Sequence, residues 1–176
     1  MIVDLFKIPI FIGNIDVEKI NLKNTNFKKT WISETLSTHD ESVKNLSNME
    51  KENIEYLLET IVTILEEKIN YLFELNLLNI WENNYINNDY QEPHIHGNSD
   101  FSFIIYKDVK EGKTAFLNPI RNFLMIYTNI SHMFDGAFMP KCKTGQIIIF
   151  PSFLEHMVLK SSKQKTISGN LRFKKK

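Results

Sequence analysis

The chain has 176 residues, 43% of them hydrophobic, and its 21 basic and 21 acidic side chains give a formal net charge of zero. That length suits one domain, residues 1–176, able to bury a core, and the balanced charge gives no electrostatic reason for nucleic acid or membrane as an obligatory partner. The single cysteine, Cys142, excludes an internal disulfide framework and fits a reducing cytoplasm, which is the expected location.

Met1 to Ile20 carries Asp4, Lys7, Asp16, Glu18 and Lys19, so it lacks the apolar run of a signal peptide or membrane span. Leu5 to Ile12 reads as an opening strand that Pro9 places at a sheet edge. Such an edge could pair with a second copy in a homodimer. Ser47-Asn48-Met49-Glu50 has the form of a capping box. After it, Ile54, Leu57, Leu58, Ile61, Leu65, Ile69 and Leu72 recur at helical steps, an amphipathic helix of about six turns packed on something larger.

From Leu77 onward the pattern is that of strands. Ile80–Ile86, Phe101–Tyr106, Thr114–Leu117, Phe123–Tyr127, Gln146–Phe150 and Thr166–Phe173 all read so. Turn signals at Asn87-Asn88-Asp89, Gly97-Asn98-Ser99, Glu111-Gly112-Lys113, Asp135-Gly136 and Thr144-Gly145 separate them. Many short, evenly spaced strands predict an antiparallel sandwich or barrel, most simply a jelly roll. Residues 1–78 then form a strand plus helical support, and 79–176 the β core. The long irregular segment Asn118–Pro140 is expected at the mouth of the barrel.

Three of the five histidines fall in Pro93-His94-Ile95-His96 and Phe150-Pro151-Ser152-Phe153-Leu154-Glu155-His156. Two histidines one residue apart on an extended chain point to one face. A third from a distant strand could complete a facial set of metal ligands, leaving positions open for a co-substrate and dioxygen. The competing reading is a surface pair near a turn plus a strand-end histidine. His39 and His132 lie in segments without a partner pattern, and Trp31 and Trp81 read as core aromatics.

The run Trp81-x-Asn83-x-Tyr85, Asp89-Tyr90, His94-x-His96 and Ser102–Tyr106, with Gly145–Val158 and Ile167-Ser168-Gly169-Asn170 downstream, resembles the 2-oxoglutarate and iron(II)-dependent oxygenases of tailed phages and bacteria. That family belongs with the prolyl hydroxylases. The resemblance implies a mainly β fold with α: a double-stranded β-helix, or jelly roll, with N-terminal helices packed on one sheet. It implies Fe(II) and 2-oxoglutarate as cofactors, with O₂ and an unidentified substrate as partners. It also implies hydroxylation of a peptide side chain or small molecule with release of succinate and CO₂.

His94, His96 and His156 are the ligands the family pattern favours, with Asp100 in place of His96 as the alternative. In related oxygenases an Arg or Lys on the last core strand anchors the far carboxylate of 2-oxoglutarate. Alignment on Ser168-Gly169-Asn170 puts Gln164 and Thr166 at the usual Arg and Ser positions. A one-residue shift brings in Lys165, the first choice for a cation, and Arg172 shares a strand face with Thr166. Tyr106 could add a phenolic hydrogen bond and Asn83 could position a ligand. The second function class is a non-catalytic jelly-roll module, phage structural or host-interacting, keeping a vestigial metal site.

Overall fold

Alternating apolar side chains build two antiparallel sheets in the computed structural model, which describes residues 7–23, 26–33, 35–126, 129 and 131–176. Among these, the strands are β1 (Phe11–Asn14), β2 (Lys28–Thr30), β3 (Thr35–Ser37), β4 (Phe73–Tyr85), β5 (Asp89–His94) and β6 (Phe101–Val109). They continue with β7 (Thr114–Leu117), β8 (Ala137–Phe138), β9 (Gln146–Pro151), β10 (His156–Ser161) and β11 (Gln164–Lys175). The helices are α1 (Ser42–Ser47), α2 (Lys51–Glu66) and α3 (Arg121–Ile126). A large sheet runs β1-β9-β6-β11-β4-β3-β2 and a small one β5-β10-β7-β8.

Period two sorts the central strands of the large sheet onto two faces. Phe103, Ile105, Ile147, Ile149, Ile167 and Leu171 meet the helical layer, where Leu57, Ile61 and Leu65 of α2 are fully buried. Ile104, Tyr106, Ile148 and Phe150 face the other way and pack with Phe116, Leu154 and Cys142 in the interior between the sheets. This is the jelly roll with helices on one sheet that the sequence implied, and it leaves Cys142 a buried small hydrophobe. Gly13 lets α2 approach β1: a Cβ there would lie 2.4 Å from Ile64 Cδ1. The helical layer carries a large share of the core, so Leu57→Ala is expected to cost about 2–5 kcal/mol, readable as a lower urea midpoint.

Several boundaries differ from the sequence reading, each for a local reason. Ser47 closes α1, its hydroxyl donating to the Val43 carbonyl at 3.2 Å, and α2 starts after Glu50, which is extended (φ −66°, ψ 143°). The helix ends at Glu66, and Leu72 is 77% exposed. From Phe73 the apolar residues alternate with Glu74 and Asn76, so this stretch is the first half of β4 and the division at 78/79 falls inside a strand. The segment Phe123–Tyr127, read as a strand, is helical to Ile126, with Phe123 and Ile126 exposed; Tyr127 lies outside the described residues. At the amino terminus Leu5 and Phe6 also lie outside them, and the opening strand is β1, which among the described residues is an edge strand paired with β9. Among the described residues no helix is long and apolar enough to cross a membrane.

Candidate metal centre

The small sheet brings the two histidine segments together at one end of the sandwich. His94 ends β5, His156 begins β10, and the two are direct cross-strand partners. His96 follows on a loop fastened by two backbone bonds, His96 N–H to the Ser152 carbonyl at 3.0 Å and Ser152 N–H to the Asp100 carbonyl at 3.0 Å. The three imidazoles offer ligand nitrogens that all lie within 4.8 Å of one another, a group that could hold a metal ion.

The hydrogen bonds fix which nitrogens those are. Nδ1 of His94 is 2.7 Å from the Glu92 carbonyl, and Nδ1 of His156 is 3.0 Å from the Leu154 carbonyl. A carbonyl only accepts, so each Nδ1 carries the proton and each Nε2 presents a lone pair. His96 donates from Nδ1 to Asn170 Oδ1 at 2.6 Å, and its Nε2 is buried without a partner. A hydroxyl relay backs this contact: Ser99 donates to Ser152 at 2.9 Å, Ser152 to Ser102 at 2.8 Å, and Ser102 to Asn170 Oδ1 at 2.8 Å. Such outer partners orient a ligating imidazole and hold its tautomer. Asn170→Ala strips His96 of its acceptor and is expected to lower Fe(II) affinity about 10–100-fold, measured by competition with a chelator.

Burial holds all three rings neutral. Desolvation is the main cause in each case, lowering the pKa of His94, lowering that of His96 to about 4 and pushing that of His156 well below the usual histidine range. The neighbouring imidazoles push His96 and His156 the same way. Neutral imidazole is the form that ligates metal. Asp100 is turned elsewhere: its carboxylate accepts the Phe173 N–H at 2.8 Å and lies 3.8 Å from Arg172 Nε. The donor set therefore fits a metal through three nitrogens, without the carboxylate that was the alternative.

Comparison with known proteins bears on the family and the fold. Residues 79–168, half of the chain, match the family described as "Putative 2OG-Fe(II) oxygenase". The chain belongs to the 2OG-Fe(II) oxygenase family. No curated protein sequence matches it. Its fold is similar to that of a prolyl hydroxylase from Trichoplax adhaerens solved with a hypoxia inducible factor peptide fragment. That match has 13% identity and a TM-score of 0.59, over 94% of this chain and 83% of that one. It is also similar to HygX from Streptomyces hygroscopicus, solved with nickel, 2-oxoglutarate and hygromycin B, at 10% identity and TM-score 0.51 over 89% and 74%. A Burkholderia pseudomallei oxidoreductase of the 2OG-Fe(II) oxygenase family matches at 12% identity and TM-score 0.45. There the alignment covers 65% of this chain and only 57% of the other.

A 2OG-Fe(II) oxygenase also needs a seat for its co-substrate, and the structure separates the residues suggested for it. Tyr106 and Thr166 face the sandwich interior and are buried. The Tyr106 hydroxyl donates to Thr114 Oγ1 at 2.8 Å, and its ring lies so close to Gly112 that a Cβ there would be 2.4 Å from it. Thr166 is hydrogen-bonded to Tyr85. Asn83 is buried too, with its Oδ1 accepting from Ser37 Oγ at 2.7 Å, which ties β4 to β3. Lys165 is a correction: it is exposed, on the side of β11 that holds Ile167 and Leu171, away from the histidines. Arg172 is a second. It is exposed and donates to the Asn98 carbonyl at 2.5 Å, fastening the loop after His96 from outside.

Two features of this 2OG-Fe(II) oxygenase were not read from the sequence. Trp31, His39 and Trp81 form a continuous run of tilted and edge-on ring contacts beside the triad, with Trp31 5.1 Å from His94 and Trp81 5.6 Å from His96 between ring centroids. The indole N–H groups of both tryptophans are buried without acceptors. Their signal was the inward parity of Trp81 on β4; Trp31 comes from a turn and carried none. The other is an ion pair, Arg121 on α3 with Glu155 at 2.6 Å, one residue from His156. It joins the segment 118–140 to the metal end. That segment also lines an apolar cleft of about 540 Å³ with Ile10, Phe116 and Leu154. His132 is exposed on this segment, apart from the triad.

Proposed function

We propose that this chain is an Fe(II)- and 2-oxoglutarate-dependent oxygenase that hydroxylates a peptide side chain or small molecule. In that reaction R–H, O₂ and 2-oxoglutarate give R–OH, succinate and CO₂. The observation that carries the reading is the convergence of three Nε2 lone pairs, that of His96 buried and without a partner, on rings whose Nδ1 protons are already committed. Iron with the bound 2-oxo acid supplies the activation of dioxygen. The chain's part is to ligate through His94, His96 and His156, to keep those rings neutral and oriented, and to exclude water. With no carboxylate among the ligands, charge on the metal is balanced chiefly by the anionic co-substrate. Tyr106 and Thr166 line the interior where that co-substrate would lie, and the cleft bordered by 118–140 is the approach for substrate.

One observation favours the second reading, a non-catalytic module keeping a metal site: no Lys or Arg is among the buried described residues. Anaerobic addition of Fe(II) and then 2-oxoglutarate decides between them. The oxygenase develops a weak visible metal-to-ligand charge-transfer band and, on admitting O₂, releases succinate. Stoichiometric iron with no band on adding 2-oxoglutarate points to the module.

A further inference from the structure

A buried amide nitrogen with no acceptor sits at the far end of the sandwich interior. Gln164 opens β11, is 1% exposed, and accepts the backbone N–H of Lys113 on Oε1 at 3.1 Å. A backbone N–H only donates, so the amide oxygen is fixed on Lys113 and the nitrogen is turned away from it. That nitrogen, Nε2, is buried and unpartnered. Buried donors are rarely left so, and each such group calls for something that completes it. The unpartnered Nε2 of His96 is completed by the metal in the reading above.

Gln164 shares the inward face of β11 with Thr166, Ser168 and Asn170, and Asn170 holds His96. One strand face thus runs from the metal ligand's partner to the free amide. Several hydroxyls along the way are engaged: Tyr106 with Thr114, Tyr85 with Thr166, Ser102 with Asn170. No buried cation stands among the described residues, and the lysines that border a cleft with Gln164, namely Lys110, Lys163 and Lys165, are all exposed. The indole N–H groups of Trp31 and Trp81 are unpartnered too but stand beside the histidines. Among the described residues the far end of the interior therefore offers the tail of a bound 2-oxo acid one unspent side-chain donor, Gln164 Nε2, and that donor is neutral.

We propose that Gln164 Nε2 donates to the tail of the 2-oxo acid co-substrate, and that this uncharged subsite takes a carboxamide tail at least as well as a carboxylate. The inference rests on the oxygenase reading. A carboxylate loses its hydration on entering and meets no opposite charge, which is costly. A carboxamide offers the same acceptor oxygen without that penalty.

The test uses the Fe(II)-loaded chain under anaerobic conditions, titrated through the charge-transfer band with 2-oxoglutarate, 2-oxoglutaramate and 2-oxobutyrate. The carboxamide is counted by its open-chain concentration, measured by NMR, because it largely closes to a hydroxylactam in water. The carboxamide should bind within about threefold of 2-oxoglutarate or more tightly, and both should exceed the tailless 2-oxobutyrate. Gln164→Arg, which restores a cation at this position, should tighten 2-oxoglutarate about tenfold or more and leave the carboxamide no better. Gln164→Leu should bring both tailed acids down to the level of 2-oxobutyrate. A wild type that prefers 2-oxoglutarate to the carboxamide by more than about tenfold overturns the neutral subsite. An iron-loaded Gln164→Leu variant with unchanged affinities overturns the role of Gln164, whether or not the Arg variant folds. A band with 2-oxobutyrate keeps the oxygenase reading standing in either case. No band with any of the three acids removes that reading and the inference with it.

Discussion

His96→Ala is expected to lose stoichiometric Fe(II) binding while Asp100→Ala retains it. Removing the acceptor of a ligating imidazole commonly lowers metal affinity 10–100-fold, so removing the imidazole itself should cost more than about 100-fold. His94→Ala and His156→Ala should behave like His96→Ala, because each supplies one of the three nitrogens that converge among the described residues. Asp100 spends its carboxylate on the Phe173 N–H and neighbours Arg172, so its loss should loosen the end of β11 and leave the metal in place. His132→Ala, on an exposed turn, is the control. The measurement is iron per protein after anaerobic desalting, with a far-ultraviolet dichroism spectrum to confirm the fold. If Asp100→Ala loses iron and His96→Ala keeps it, the three-imidazole centre is wrong. The loop from His96 to Asp100 must then rearrange to deliver a carboxylate.

Much of this site was legible in the sequence because its chemistry follows strand parity. His94 and His96 are two residues apart, and so are Ser168 and Asn170; a period of two puts each pair on one face before any fold is known. The distal histidine was legible through the strand that ends at Pro151. The helix α2 was legible through its apolar stripe, since Leu57, Ile61 and Leu65 are the buried residues a helical step predicts. Its ends were not. Leu72 continues the helical step by coincidence while Phe73, Leu75 and Leu77 already alternate, and a window spanning both patterns favours the longer one. Phe123-Leu124-Met125-Ile126 is a short apolar run that fits strand or helix equally, and length alone could not arbitrate. Lys165 failed for a sharper reason: a one-residue shift in register carries a side chain to the opposite face of the sheet. With Gln164, Thr166 and Asn170 inward, Lys165 must point out. Contacts between distant segments, such as Trp31 with His94 or Arg121 with Glu155, leave no trace in local pattern.

The metal-free protein is expected to lose stability as pH falls from 7.5 to 5. His96 has a pKa of about 4 in the folded state against 6.5 for the free side chain, with burial as the first cause. His156, His94 and His39 are lowered as well, each chiefly by desolvation. A lowered histidine pKa means that below 6.5 the unfolded chain binds a proton the folded one refuses. Stability contributed by the neutral ring is therefore whole above 6.5 and drains away on acidification until the folded pKa is reached. For His96 the full window is worth about 3 kcal/mol, of which about 2 kcal/mol is gone by pH 5. Above pH 5 most carboxylates are still ionised, so their protonation adds little to the slope. The observable is the urea midpoint of chelator-treated protein at successive pH values, and His96→Gln should show a shallower decline than wild type. Histidines held protonated by acidic partners would give the opposite sign, with stability rising as pH falls through 6.5. A flat or rising profile would mean that the three rings are not buried neutral in the absence of metal, and that the site is assembled by the metal instead of waiting for it.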